Sequence, residues 1–121
     1  MSNHQFYGKH LIASYKGCCS KVINDPEKIK KIMTLAIQIS GATILNDSDF
    51  TFTTDDPSVV GYTAVFLLSE SHASIHTYPE YGCAFVDLFT CGTTCTWEEF
   101  HAAMIKGLRS ESQDFKIIQR S

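Results

Sequence analysis

The sequence predicts an α+β fold, a layered sandwich of a mostly antiparallel β-sheet covered on one face by two helices. Two patterns carry the prediction. Strand-like runs follow one another from residue 42 to residue 91 with only short turn-forming stretches between them, which pairs neighbours antiparallel. On either side of that run lies a segment of helical periodicity with one apolar face, suited to covering a sheet.

Taken in order, "HLIASYKG" reads as a first strand that alternates loosely up to a stop at Gly17. "NDPEKIKKIMTLAIQISG" is the clearest helix, with Asp25 as N-cap, Pro26 at the first helical position and Gly41 at the end. Ile29, Ile32, Met33, Ala36 and Ile39 recur at helical spacing, while Lys28, Lys30 and Lys31 make a solvated face. "ATILNDSDFTF" is a strand with polar alternation, and "TTDDPS" is a turn. "VVGYTAVFLLS", "HASIHTY" and, after a Pro-Glu-Tyr-Gly connection, "CAFVDLFT" follow as strands. Thr96 and Glu99 have capping-box spacing at the start of a second helix through Phe100, Ala103, Met104 and Leu108, and "DFKIIQ" adds a last strand. The order is β-α-β-β-β-β-α-β.

A chain of 121 residues is expected to form a single domain, 1–121. With 44% hydrophobic and 19% charged residues it has the composition of a soluble globular protein. A net charge of -3 and the lack of a Lys/Arg cluster argue against a nucleic-acid partner. No apolar run approaches the roughly 18 residues of a membrane span, and "MSNHQFYGKH" lacks signal-peptide architecture. The expected location is therefore cytoplasmic, with no membrane partner. The five cysteines are odd in number, include one adjacent pair and contain no C-x-x-C, which argues against a disulfide framework and gives little support for a metal site.

The chemistry concentrates in "LLSESHASIHTYPEYGCAFVDLFTCG", residues 67–92. Each reactive residue has an ordinary reading alone: Ser71 as a turn residue, His76 as a structural imidazole, Cys91 as a small buried hydrophobe, Glu80 as a solvated charge. No G-x-S-x-G elbow is present, so hydrolase chemistry is not indicated. The combination of hydroxyl, imidazole, thiol and carboxylate in one hairpin-like segment is what stands out, since neighbouring strands could bring all four into one pocket.

"ESHASIHTYPEYGCAFVDLFTCG" closely resembles the signature of the bacterial and archaeal S-adenosylmethionine decarboxylases, in which E-S-H leads to I-H-T-W-P-E-Y-G and then to an apolar strand ending D-x-F-T-C-G. "GKHLIASYKGC" resembles the opening strand of that family, "INDPEKIKKIM" its first helix and "ISGATIL" the turn into its second strand, so the likeness covers most of residues 8–92.

The resemblance implies a proenzyme that cuts itself between Glu70 and Ser71 into a β chain, 1–70, and an α chain, 71–121. The Ser71 hydroxyl would attack the preceding carbonyl, turning amide into ester. Loss of the Ser71 α-proton would then drive elimination to dehydroalanine, which becomes a pyruvoyl group on losing ammonia. His76 matches the family's proton-transfer histidine in processing, a role that suits an imidazole near neutral pH. The pyruvoyl group, a covalent cofactor made from Ser71, would hold the substrate amine as a Schiff base and serve as electron sink. Cys91 matches the family's proton donor in decarboxylation, a task open to a thiol with an ordinary pKa of ~8.5. Glu80 matches the carboxylate that binds the ribose hydroxyls of the substrate. Phe52 is the candidate aromatic face for the adenine and sulfonium. The implied activity is a lyase that makes decarboxylated S-adenosylmethionine and carbon dioxide for spermidine, and hence polyamine, biosynthesis. The implied assembly is a homodimer of cleaved protomers with pockets built from both subunits.

The sequence departs from the family at several points. Where the family has a serine in G-V-S-G, this chain has Gly61-Tyr62-Thr63-Ala64, and Thr63 keeps the hydroxyl for a role in processing but adds a methyl. Tyr78 stands where tryptophan is common, and Cys83 and Phe85 replace the usual tyrosine and alanine. "FTFTTDDPSVV" is longer and more acidic than the family's connection. Asp55 or Asp56 could there pair a second positive charge, which gives an alternative substrate, ornithine or arginine. A further alternative is a regulatory homologue that does not process; retention of Ser71, His76 and Cys91 argues against it.

Overall fold

The computed structural model describes residues 8–91 and 95–121. Nine elements follow in the order β1 (Gly8–Lys16), α1 (Ser20–Ile23), α2 (Pro26–Ile39), β2 (Ile44–Thr53), β3 (Val60–Leu68), β4 (Ser71–Tyr78), β5 (Cys83–Cys91), α3 (Trp97–Leu108) and β6 (Ser112–Arg120), with a 3₁₀ turn at Pro79–Tyr81 before β5. The six strands form one sheet in the order β2-β3-β4-β5-β1-β6, and every pairing is antiparallel. The α+β layered sandwich is as the sequence predicts, with the one-turn helix α1 as an addition.

Helix α2 begins as its capping residues dictate: the Asp25 carboxylate accepts a hydrogen bond from the Lys28 N–H at 3.2 Å and Pro26 fills the first turn. Its buried face is Ile29, Met33, Ala36 and Ile37. Ile39, expected on that face, is 44% exposed. Ten residues beyond Ile29, it lies about 80° off the face at ~100° per residue, and Ile37 takes the core position. Lys30 reaches Asp47 and Asp49 on β2, at 3.3 and 3.7 Å, a surface contact worth little. In α3 the Thr96 hydroxyl donates to the Glu99 carboxylate at 2.9 Å, and Phe100, Met104 and Leu108 are fully buried. The two helices approach closely where Gly107 meets Ile32; a Cβ on Gly107 would lie 2.6 Å from Ile32 Cγ2.

Alternation along each strand sorts the residues into two faces. Leu11, Ala13, Tyr15, Tyr62, Ala64, Phe66, Ala73, Ile75, Val86 and Leu88 point to the helices and form the core with them. Residues of the other parity face away from the helices. That open face carries large apolar side chains: Ile12, Phe50, Phe52, Val65, Leu67, Tyr78, Phe85 and Ile118 are all exposed.

Candidate active site

The β3–β4 hairpin sets out the site. Leu68 pairs with Ser71, so Ser69 and Glu70 form a two-residue turn. Glu70 has φ 64, a left-handed conformation that costs a non-glycine residue roughly 1–2 kcal/mol. The strained residue is the one whose carbonyl precedes Ser71. The Ser71 hydroxyl is partly exposed, and its hydrogen bond, to the Ser69 carbonyl, is long at 3.4 Å. A serine on an accessible, strained turn is suited to be cut and converted, so the residues present fit a group generated in place.

Cys91 lies at the same end of the sheet. His72 pairs with Phe89, so Cys91 comes opposite Glu70, one strand from the turn. Cys91 shares the open-face parity of Phe85 and Phe89, whereas Ser71 shares the parity of Ala73 and Ile75. Gly92, which ends the T-C-G motif, lies outside the described residues.

The other predicted residues gather at the opposite end. Thr63 pairs with His76 across the β3–β4 ladder, and Thr63 Oγ1 is 3.1 Å from His76 Nδ1. Beside them opens a cavity of about 530 Å³ lined by Phe52, Tyr78 and Glu80 together with Thr63 and His76. Gly82, at φ 63, ends the 3₁₀ turn that presents Glu80. Phe52 packs against Phe50 with ring centroids 4.8 Å apart, and it pairs with Gly61. Thr77, not singled out from the sequence, also lines the cavity and anchors its floor, its hydroxyl accepting from the Tyr62 N–H at 2.8 Å.

Within one chain, then, the four reactive groups do not meet in one pocket. Five residues of extended strand, ~16 Å at ~3.3 Å per residue, separate Ser71 from His76. Ser71 and Cys91 lie toward one end of the sheet, with opposite parity; Thr63, His76, Phe52 and Glu80 lie toward the other.

The acidic connection contributes less charge to the cavity than its sequence indicates. Thr54 and Val59 line it, but neither Asp55 nor Asp56 does. Asp56 is turned into its own loop, where its carboxylate accepts from the Ser58 N–H at 2.9 Å and hydroxyl at 2.7 Å. These bonds hold the carboxyl below its usual pKa. Glu80 is the acid of the cavity lining.

Among the described residues no group of His, Cys, Asp and Glu is arranged to hold a metal ion. All five cysteines are free, and burial pushes the Cys18 thiol up to about 11 and raises Cys95. No described helix is long and apolar enough to cross a membrane.

The family model described as S-adenosylmethionine decarboxylase matches residues 9–121. An S-adenosylmethionine decarboxylase proenzyme of Thermosipho africanus is 42% identical over 94 residues, 77% of this chain and 68% of the relative. One from Methanococcus maripaludis is 38% identical over 113 residues, 93% of this chain and 88% of the relative. The crystal structure of the adenosylmethionine decarboxylase from Aquifex aeolicus VF5 superposes with a TM-score of 0.85 at 28% identity, covering 98% of this chain and 93% of that one. The chain belongs to the S-adenosylmethionine decarboxylase family.

Proposed function

We propose that this protein is a self-processing, pyruvoyl-dependent decarboxylase that converts S-adenosylmethionine to its decarboxylated form and carbon dioxide, working as a homodimer in the cytoplasm. The product is the aminopropyl donor for spermidine synthesis. The observation that carries this reading is the separation of the motif residues along the sheet into two groups, with Ser71 and Cys91 at one end and Thr63, His76, Phe52 and Glu80 at the other.

A second copy completes the site. A twofold axis through the open face lays one sheet on the other end for end, bringing the Ser71 end of one protomer against the His76 end of its partner. The same contact covers apolar surface that a lone protomer leaves in water, Phe50 at 62%, Leu67 at 54% and Val65 at 47% exposure among it.

In processing, Ser71 Oγ attacks the Glu70 carbonyl carbon, the C–N bond breaks and the Ser71 amine is freed as an ester forms. His76 takes the Ser71 α-proton, the ester C–O bond breaks and Glu70 leaves as the carboxylate terminus of the β chain. Water then replaces the nitrogen of residue 71, which departs as ammonia. The resulting pyruvoyl carbonyl supplies the electron sink that decarboxylation of an amino acid requires. Cys91 holds the proton for the substrate Cα, Glu80 orients the ribose through its two oxygens, and Phe52 offers a ring face to adenine or sulfonium.

Glu80 also favours S-adenosylmethionine over ornithine or arginine, since a substrate without ribose has no use for a carboxylate placed there, and the loop aspartates that could pair a cationic side chain lie outside the cavity lining. Carbon dioxide release measured side by side with the three amino acids tests the assignment. Release from S-adenosylmethionine is expected, and release from ornithine or arginine alone would overturn it.

A further inference from the structure

The half-site around Cys91 continues across the sheet. Gly8 of β1 pairs with Cys91 on one side and with Arg120 of β6 on the other, so the three residues form a row on the open face, ~4.8 Å between strands. The middle position has no side chain, and the Phe89 ring occupies the space above it: a Cβ on Gly8 would lie 2.5 Å from Phe89 Cε1. The Arg120 side chain reaches inward from the sheet edge over that ring, with Cζ 5.0 Å from its centroid. A guanidinium is thereby held over the ring of Phe89, two residues before Cys91 on β5, by cation–π attraction. The ion pairs among the described residues are made by Lys16 and Lys30, so no carboxylate there occupies Arg120. One pair further along, His10 carries Nε2 out of solvent with no hydrogen-bond partner. This corner of the open face thus holds a guanidinium with no carboxylate partner among the described residues and an imidazole nitrogen without a hydrogen bond.

We propose that Arg120 binds the α-carboxylate of the amino-acid substrate. The inference rests on the decarboxylase reading above. The substrate Cα must lie between the residue-71 carbonyl that captures its amine and the Cys91 thiol that protonates it. Residue 71 approaches from the β4 side of Cys91. On the other side of Cys91 the Gly8 position carries no side chain and is roofed by the Phe89 ring, and Arg120 lies beyond it with the planar fork of donors that matches a carboxylate. Because that carboxylate departs as carbon dioxide, the contact exists in the ground state and is weakened as the reaction proceeds. Arg120 therefore sets affinity and selection for amino acids over amines, rather than the rate of the chemical step.

The test is Arg120→Gln in the full-length, self-processed protein. Its KM for substrate should rise roughly tenfold to a hundredfold with kcat falling far less, and Arg120→Lys should recover part of the loss. Calorimetry in a Cys91→Ala background gives a readout free of turnover. There Arg120→Gln should weaken S-adenosylmethionine but leave the decarboxylated product, which lacks the carboxylate, bound as before, whereas Glu80→Gln should weaken both. An unchanged KM, or equal weakening of both ligands by Arg120→Gln, overturns the proposal. If the unmodified protein releases carbon dioxide from ornithine or arginine instead, the substrate assignment falls, and the same comparison between that amino acid and its amine decides for or against Arg120.

Discussion

Thr63 and His76 face each other directly across the β3–β4 ladder, with the hydroxyl oxygen 3.1 Å from Nδ1 of the imidazole. The contact ties the ring to a strand position and fixes which nitrogen is engaged, leaving Nε2 to work outward from the sheet. Replacing Thr63 with Val keeps the shape and removes the oxygen, so self-cleavage should slow about tenfold or more while the fold persists; Thr63→Ser should cleave normally. Loss of the imidazole in His76→Ala should slow cleavage by ~10²–10⁴. Intact mass against time reads both, and wild-type cleavage in Thr63→Val would show that the hydroxyl has no part in processing.

Ser71 and Cys91 lie near the same end of adjacent strands, and the proposed mechanism gives them separable duties. Ser71→Ala should remain a single chain indefinitely. Cys91→Ala should still yield two fragments, the α chain with a blocked terminus, yet lose decarboxylation by about 10²–10⁴. Full turnover in Cys91→Ala would mean that the proton reaches the substrate from another group.

A site shared between protomers, as proposed, makes a prediction that no intrachain site shares. Neither Ser71→Ala nor His76→Ala alone should process efficiently. In mixed dimers, one site combines the intact Ser71 of the His76→Ala chain with the intact His76 of the Ser71→Ala chain, so co-expression should restore cleavage of the His76→Ala chain. No restoration in verified heterodimers would place both residues' action within one chain.

His101 lies at the core edge, where its Nδ1 is 2.7 Å from the Tyr15 hydroxyl. Burial raises the Tyr15 phenol, which stays protonated and donates, and burial lowers His101 below its ordinary 6.5. Below pH 6.5 the unfolded chain takes up a proton that the folded chain resists. The contribution to stability is therefore complete above that pH and declines as pH falls through the lowered folded value. Melting temperature should drop over this window less steeply in His101→Gln, which retains an acceptor for Tyr15. His101→Ala should cost about 1–3 kcal/mol by leaving a buried hydroxyl unpaired. Identical pH profiles for His101→Gln and the wild type would remove His101 as the cause.

Most local signals in the sequence guided local structure well, Ile39 being an exception. Asp25 and Pro26 start α2 where capping chemistry places them, and alternation along residues 60–68 and 71–78 divides core from open face as observed. The insertion of β1 between β5 and β6 had no such signal, because pairing of Gly8 with both Cys91 and Arg120 joins positions far apart in the chain. The site followed the same rule. Motif residues identified themselves by type and spacing, but five residues along one strand look adjacent in sequence and are half a sheet apart in space. Arg120 and His10 carried no motif of their own, and only the strand order brings them beside Cys91. The loop aspartates were legible as charge, yet the hydrogen bonds that turn Asp56 inward depend on the fold of the loop itself.

The strand order has a further consequence for a chain cut after Glu70. The first fragment would supply β1, β2 and β3, the second β4, β5 and β6, and in the sheet they interleave as β2-β3, β4-β5, β1, β6. They share three seams, β3–β4, β5–β1 and β1–β6, besides the packing of α2 on α3. Cutting the hairpin therefore releases nothing, and the two pieces stay threaded through each other like the fingers of clasped hands. Unfolding, however, becomes a parting of two molecules, so recovery would depend on concentration and on a reunion the uncut precursor never has to make. Maturation by such a cut would trade the capacity to refold unaided for a catalytic group, and each molecule would make that trade once.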